Sequence, residues 1–231
     1  MTSNYEQDDS QKYAIHNPQS ATGTSAIRNP QPAESSAFAT LRRFVRARAV
    51  VERCEMCSAE LATEHQHLVE PKTRQIICSC QACAVLFCNQ AETKYKSVPR
   101  RIRFLQDFQL TDAQWDNLAL PINMAFFFHS TPDGKVVALY PSPAGPTESL
   151  LSLDTWDEIM QDNAVLKKME SDVEALLVNR VENRREYFLA PIDECYKLVG
   201  LIRAHWRGLS GGAEVWAEIV KFFDELKRRA D

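Results

Sequence analysis

The chain lacks any run of about 18 apolar residues, which excludes an ordinary transmembrane helix. It opens MTSNYEQDDS, polar and acidic, without the apolar core of a secretory signal. Arg42 and Arg43 form a twin-arginine pair. Only Phe44 to Val51, with further arginines, follows it, so no twin-arginine signal is expected. The cytosol is the expected compartment. No P-loop, G-x-G-x-x-G or H-E-x-x-H pattern occurs, which removes the common nucleotide and metalloprotease signatures. No repeat of about 20–50 residues stands out. With 45% apolar and 25% charged residues, the 231-residue chain is near the globular average. Wholesale disorder, a fibrous repeat and a coiled coil are thereby excluded.

Charge is uneven along the chain. Residues 1–40 carry a net −2 and are rich in Ser, Thr, Asn, Gln, Ala and Pro, so a disordered tail is expected there. Residues 41–106 carry +6 and residues 107–231 carry −8. A basic segment suits nucleic acid or an acidic protein, although a solvated surface explains this density more simply.

What the chain does have is clustered cysteine. Of seven, six lie between Cys54 and Cys88, and only Cys195 stands apart. In a chain without signs of secretion, such clustering points to metal or redox chemistry and not to a disulfide framework. Cys54-Glu-Met-Cys57 is followed, after 22 residues, by Cys80-Gln-Ala-Cys83. Thiolates at i and i+3 of a tight knuckle can bind one cation, and two knuckles close a tetrahedral four-sulfur site. Between them, His67 to Glu70 and Gln75 to Cys78 are strand-like and Pro71 to Arg74 is placed as a turn. Knuckle, strand, turn, strand, knuckle is a zinc-ribbon, rubredoxin-like layout over residues 41–92. Leu61 and Phe87 are placed to cap the metal.

The ligand set has alternatives. Cys78 lies two residues before Cys80, where a strand would turn it to the same side, and His65 and His67 are close in sequence. Cys78, His67 or His65 can each substitute for one of Cys54, Cys57, Cys80 and Cys83, and Cys88 is a fifth thiol or a core residue. A closed four-thiolate site is structural and contributes folding energy to a module too small to hold itself together. Zinc is the first expectation. A single iron would make the module a one-electron carrier, but Ser58 and Ala84 stand where rubredoxin-like knuckles usually have glycine. An iron–sulfur cluster is the third option.

Residues 93–231 read as mixed α and β. Pro99 interrupts a basic connector. Thr111 to Gln114 is a capping-box pattern for a short helix carrying Trp115 and Leu118. Ile122–Ser130 and Lys135–Tyr140 form a hairpin around Pro132-Asp133-Gly134. Pro141 to Pro146 is read as a loop, and Asp154 as the cap of a helix to about Met169. A second hairpin joins Ala175–Val181 to Glu186–Ile192, with a helix from about Asp193 to Trp206. A last helix from about Ala213 to Arg229 shows an apolar stripe from Val215 to Leu226. The fold class expected is α+β: the small metal module, then an antiparallel sheet with helices on one face.

Elsewhere no residue set defines an active site. Gly208-Leu-Ser210-Gly-Gly212 matches G-x-S-x-G, but a helix precedes it where a nucleophile elbow needs a strand, and no His follows. A helix break is the better reading. His129 at a strand end could act as a base, but has no identifiable carboxylate partner. Asp193 and Glu194 suit a helix start. Arg203, His205, Trp206 and Arg207 read as core and solvated surface. Arg100, Arg101 and Arg103 with Tyr95 and Phe104 mix charge with aromatics, which keeps nucleic acid as an alternative partner.

The stretches ERCEMC, EHQHL, CSCQACAVLF, MAFFFHS, YPSPAGPTESLL, EALLVNRV, CYKLVGLIRAHWRG and GGAEVW resemble a family of uncharacterised bacterial proteins. The resemblance covers roughly residues 41–231. Its members are often encoded beside high-affinity uptake nickel–iron hydrogenase genes. The resemblance implies an accessory or maturation role in hydrogen metabolism, with hydrogenase subunits as protein partners.

Overall fold

The computed structural model describes residues 51–88, 93–149 and 155–231. The tail expected over 1–40, nearly all of the basic segment 41–51 and the cap expected at Asp154 lie outside them. Residues 49–231 cluster as one compact unit.

The chain folds first into a hairpin of β1 (Gln66–Glu70) and β2 (Gln75–Ser79), followed by α1 (Gln81–Cys88) and β3 (Lys96–Ser97). β3 pairs antiparallel with the free edge of β1, which gives a three-stranded sheet in the order β2-β1-β3. Then come β4 (Arg103–Phe104), α2 (Asp112–Asn117), β5 (Met124–Ser130), β6 (Lys135–Ser142), β7 (Gly145–Glu148) and α3 (Trp156–Asp162). A 3-10 turn over Ala164–Lys168, β8 (Glu174–Asn179), β9 (Glu186–Pro191), α4 (Ile192–His205) and α5 (Gly212–Arg229) complete the chain. The larger sheet is six-stranded and antiparallel, in the order β4-β9-β8-β5-β6-β7.

The helices cover both faces of this sheet, not the one face expected. Phe126, Phe128, Leu177 and Phe188 point to one side, where Leu198, Ile202, Ile219 and Phe223 of α4 and α5 pack on them. Ala125, Phe127, Leu176 and Val178 point to the other, against Trp115 of α2, Trp156 and Ile159 of α3, and Leu166. Successive strand residues alternate between faces, so a strand buried on both must be apolar throughout. The unbroken apolar run of β5 reflects that.

Two local expectations also change. Pro141 to Pro146 is not a loop: β6 and β7 pair through it, with Pro141 opposite Pro146 and only Pro143 and Ala144 at the turn. Both prolines are tolerated because β7 is an edge strand and β5 pairs with β6 only as far as Leu139. The helix expected to reach Met169 breaks at Asn163. The buried Asn163 side chain donates to the carbonyls of Ile159 and Gln109 and accepts from the Gln109 N–H. Such side-chain bonds compete with the helical ladder. The Thr111 capping box forms as its sequence predicts, with reciprocal bonds to Gln114.

Candidate metal centre

The first cysteine pair sits on a tight turn. Ser58 N–H donates to the Cys54 carbonyl at 2.7 Å and Cys54 N–H donates to the Ala59 carbonyl at 2.8 Å. Ser58 takes the left-handed conformation, φ 62°, which favours glycine. The second pair is not a second free knuckle. Cys80 immediately precedes α1 and Cys83 lies in its first turn, with Cys83 N–H directed at Cys80 Sγ at 3.5 Å. The module is therefore knuckle, hairpin, helix.

This folding brings Cys54, Cys57, Cys80 and Cys83 together, with all four sulfurs within 4.8 Å of one another. Cys57 Sγ and Cys80 Sγ are 3.7 Å apart. A tetrahedral ion with metal–sulfur bonds of about 2.3 Å has sulfur–sulfur edges of about 3.8 Å, so that pair already has the spacing of a filled site. The electrostatics agree. Burial pushes the Cys54 thiol up, but backbone N–H groups of Cys80, Cys57 and Met56 directed at its sulfur bring it down to about 6. Burial and the three neighbouring thiols push Cys83 up to about 12. Four crowded sulfurs resist shared ionisation unless a cation neutralises them, so the donor set fits a thiophilic metal ion such as zinc.

The apolar cluster under this site is small: Leu68, Ile77 and Ala84, with Met56, Cys88 and Tyr95 half-buried around it. Phe87, expected to cap the metal, is instead 42% exposed on α1 beside Val85 and Leu86. Leu61 is half-buried. Cys195 is fully buried among α4, α5 and the large sheet, a core residue whose burial holds the thiol well above its ordinary range.

Cys78, His65 and His67 do not join the four thiols. They form a second group of their own, again within 4.8 Å of one another. Cys78 is the register partner of His67 across the β1–β2 ladder. Asp193 at the start of α4 hydrogen-bonds His67 Nδ1 at 2.6 Å. That bond raises the His67 pKa, against the opposing effect of burial. Asp193 lies 126 residues from His67, and only the tertiary fold shows the pairing.

The same junction is tied at two further points. Lys96 of β3 reaches the buried Asp172 at 2.6 Å. Arg74, at the β1–β2 turn, bridges to Asp133 and Glu148, each at 2.9 Å. Val69 and Val98 enter the core beneath α4 and α5.

The other candidates have structural roles or incomplete surroundings. Gly208 to Gly212 is the turn between α4 and α5. A Cβ on Gly211 would lie 2.8 Å from Val215 Cγ1, so that glycine is required by close packing. Ser210 offers its carbonyl to Trp216 Nε1. His205 pairs with Glu214 at 2.9 Å. His129 lines an open hollow with Lys135, Glu148 and Trp156, and its Nδ1 has no partner among the described residues. Of the basic stretch, Arg101 pairs with the buried Glu174 at 3.2 Å, Phe104 packs on Phe188 and Tyr95 on the module cluster.

A described family matches most of this sequence. The family of unknown function DUF5947 matches residues 53–230, from the first knuckle to the last turn of α5. The chain belongs to that family. No curated protein and no solved structure matches the chain. Among the described residues, no helix is long and apolar enough to cross a membrane.

Proposed function

We propose that this DUF5947 protein is a metal-binding accessory protein. Cys54, Cys57, Cys80 and Cys83 hold one zinc ion in a closed structural site, and the zinc-ribbon-like module it folds meets a protein partner. The observation that carries this reading is the convergence of the four sulfurs within 4.8 Å. Four thiolates fill a tetrahedral ion and leave no position for chemistry. Val85, Leu86 and Phe87, exposed together on α1 beside the site, support a docking role. The resemblance to proteins encoded beside uptake hydrogenases makes a hydrogenase subunit the partner of choice and assembly or maturation the role.

The test is elemental analysis with a visible spectrum on protein purified anaerobically, followed by co-purification with co-expressed hydrogenase subunits. Zinc without colour, and retention of a subunit that is lost on Leu86→Asp, is the expected result. Iron with strong visible absorption would instead make the module a rubredoxin-like electron carrier. Nucleic acid is the weaker alternative, because Arg101 and Phe104 already have protein partners. Salt-dependent binding weakened by Arg100→Ala would revive it.

A further inference from the structure

The hairpin has two chemically different faces. Period-two alternation sets Leu68 toward α1 and the four-thiol site, while His65, His67 and Val69 share the opposite side. Cys78 lies directly across from His67, and Ile76 from Val69. Residues so paired have Cβ atoms about 5 Å apart, on the same face.

Both imidazoles are already oriented. His67 Nδ1 is fixed by Asp193 Oδ2 at 2.6 Å. His65 Nδ1 lies 3.0 Å from the Ala62 carbonyl. Each ring is thus left with Nε2. The His65 side chain is only 8% exposed, and its Nε2 is buried without a hydrogen-bond partner among the described residues. An orphaned buried nitrogen is costly and calls for an explanation. The rings lie 4.8 Å apart, edge to face. An imidazole whose far nitrogen is held by a carboxylate or a backbone carbonyl is the usual arrangement of a metal-ligating histidine.

We propose that His65 Nε2, His67 Nε2 and Cys78 Sγ form a second metal site that binds one divalent first-row ion, zinc in the first instance, with the fourth position open to water or a small anion. It is separate from the four-thiol site and does not depend on it. Three protein ligands with an open position is the pattern of a reactive metal centre, not of a purely structural one. One ring nitrogen of each histidine and Cys78 Sγ lie within 4.8 Å of one another, against tetrahedral edges of about 3.3–3.8 Å, a difference that small side-chain shifts on metal binding close. Asp193 is a positioning residue for His67.

The experiment is metal stoichiometry of the full chain by elemental analysis, with a zinc titration against a competing chromophoric chelator. Two ions per chain are expected. His67→Gln and Cys78→Ser should each lose one ion and keep the other, and Cys57→Ser should lose the complementary ion. Asp193→Asn should weaken the second ion about 10–100-fold without touching the first. With cobalt as the probe, added azide should shift the bands of the ion that His67→Gln removes. One ion per chain, lost in Cys57→Ser and kept in His67→Gln and Cys78→Ser, would overturn the second site and leave the four-thiol reading intact. One ion with the reverse pattern would sustain the second site and refute the four-thiol reading. Should the His67 variant fail to fold, the wild-type stoichiometry and the Asp193→Asn affinity still decide.

Discussion

The metal module and the six-stranded sheet reach a folded state by different means. The sheet has apolar clusters on both faces, anchored by Phe126, Phe127, Phe188 and Phe223, all at most 1% exposed. The module's own cluster contains three buried apolar residues, Leu68, Ile77 and Ala84, of which only Leu68 is fully buried. Hydrophobic burial scales with area, and so small a cluster cannot offset the entropy of ordering a knuckle, a hairpin and a helix. The sheet is therefore stable through packing, whereas the module, on the proposed reading, relies on ligation and on its ties to the sheet. A fold can place its metal chemistry on the part that packing alone would not hold, which makes that part responsive to metal.

The sharpest way to break this comparison is to remove the metal. Chelation, or Cys57→Ser or Cys83→Ser, should release the ion and the local stability it confers, on the order of 10 kcal/mol in small zinc modules. Hydrogen exchange should accelerate in the Cys54–Ala59 knuckle and in α1, while β5 and β8 stay protected. Loss of protection throughout the chain would show that the two regions are not energetically separable. The converse change is Phe126→Ala, which opens a cavity in the sheet core and should cost about 3–5 kcal/mol in chemical denaturation. Metal content of the folded fraction should not change.

Two backbone positions refine the contrast. Gly211, φ 87°, sits against Val215 and Trp206, so Gly211→Ala should cost about 1–3 kcal/mol by thermal melting. Ser58 adopts a similar left-handed φ in the knuckle with a side chain present. Ser58→Gly should therefore stabilise the metal-bound protein, by at most about 1 kcal/mol, with unchanged metal affinity.

Much of this was legible in the sequence because the signals are local. The doubled C-x-x-C, the Thr111 capping box and the Pro-Asp-Gly turn each depend on residues a few positions apart. Three features were not legible, each for a reason of distance or context. The helix at Cys80 was hidden because a C-x-x-C pair fits a free knuckle or a helix start equally well. The two-sided covering of the sheet was hidden because an apolar run such as Ala125 to Phe128 does not say what lies on each face. The separation of His65, His67 and Cys78 from the four thiols depends on strand register and on Asp193, far along the chain. Sequence proximity alone made these three residues look like substitutes in one site.

The most direct test of the central claim is X-ray absorption at the zinc edge of anaerobically purified Cys78→Ser protein, in which only the four-thiol site should remain filled. A pure sulfur shell of four at about 2.3 Å is predicted. A shell containing nitrogen or oxygen, or the absence of zinc from folded protein, would contradict the assignment of Cys54, Cys57, Cys80 and Cys83 as a closed zinc site.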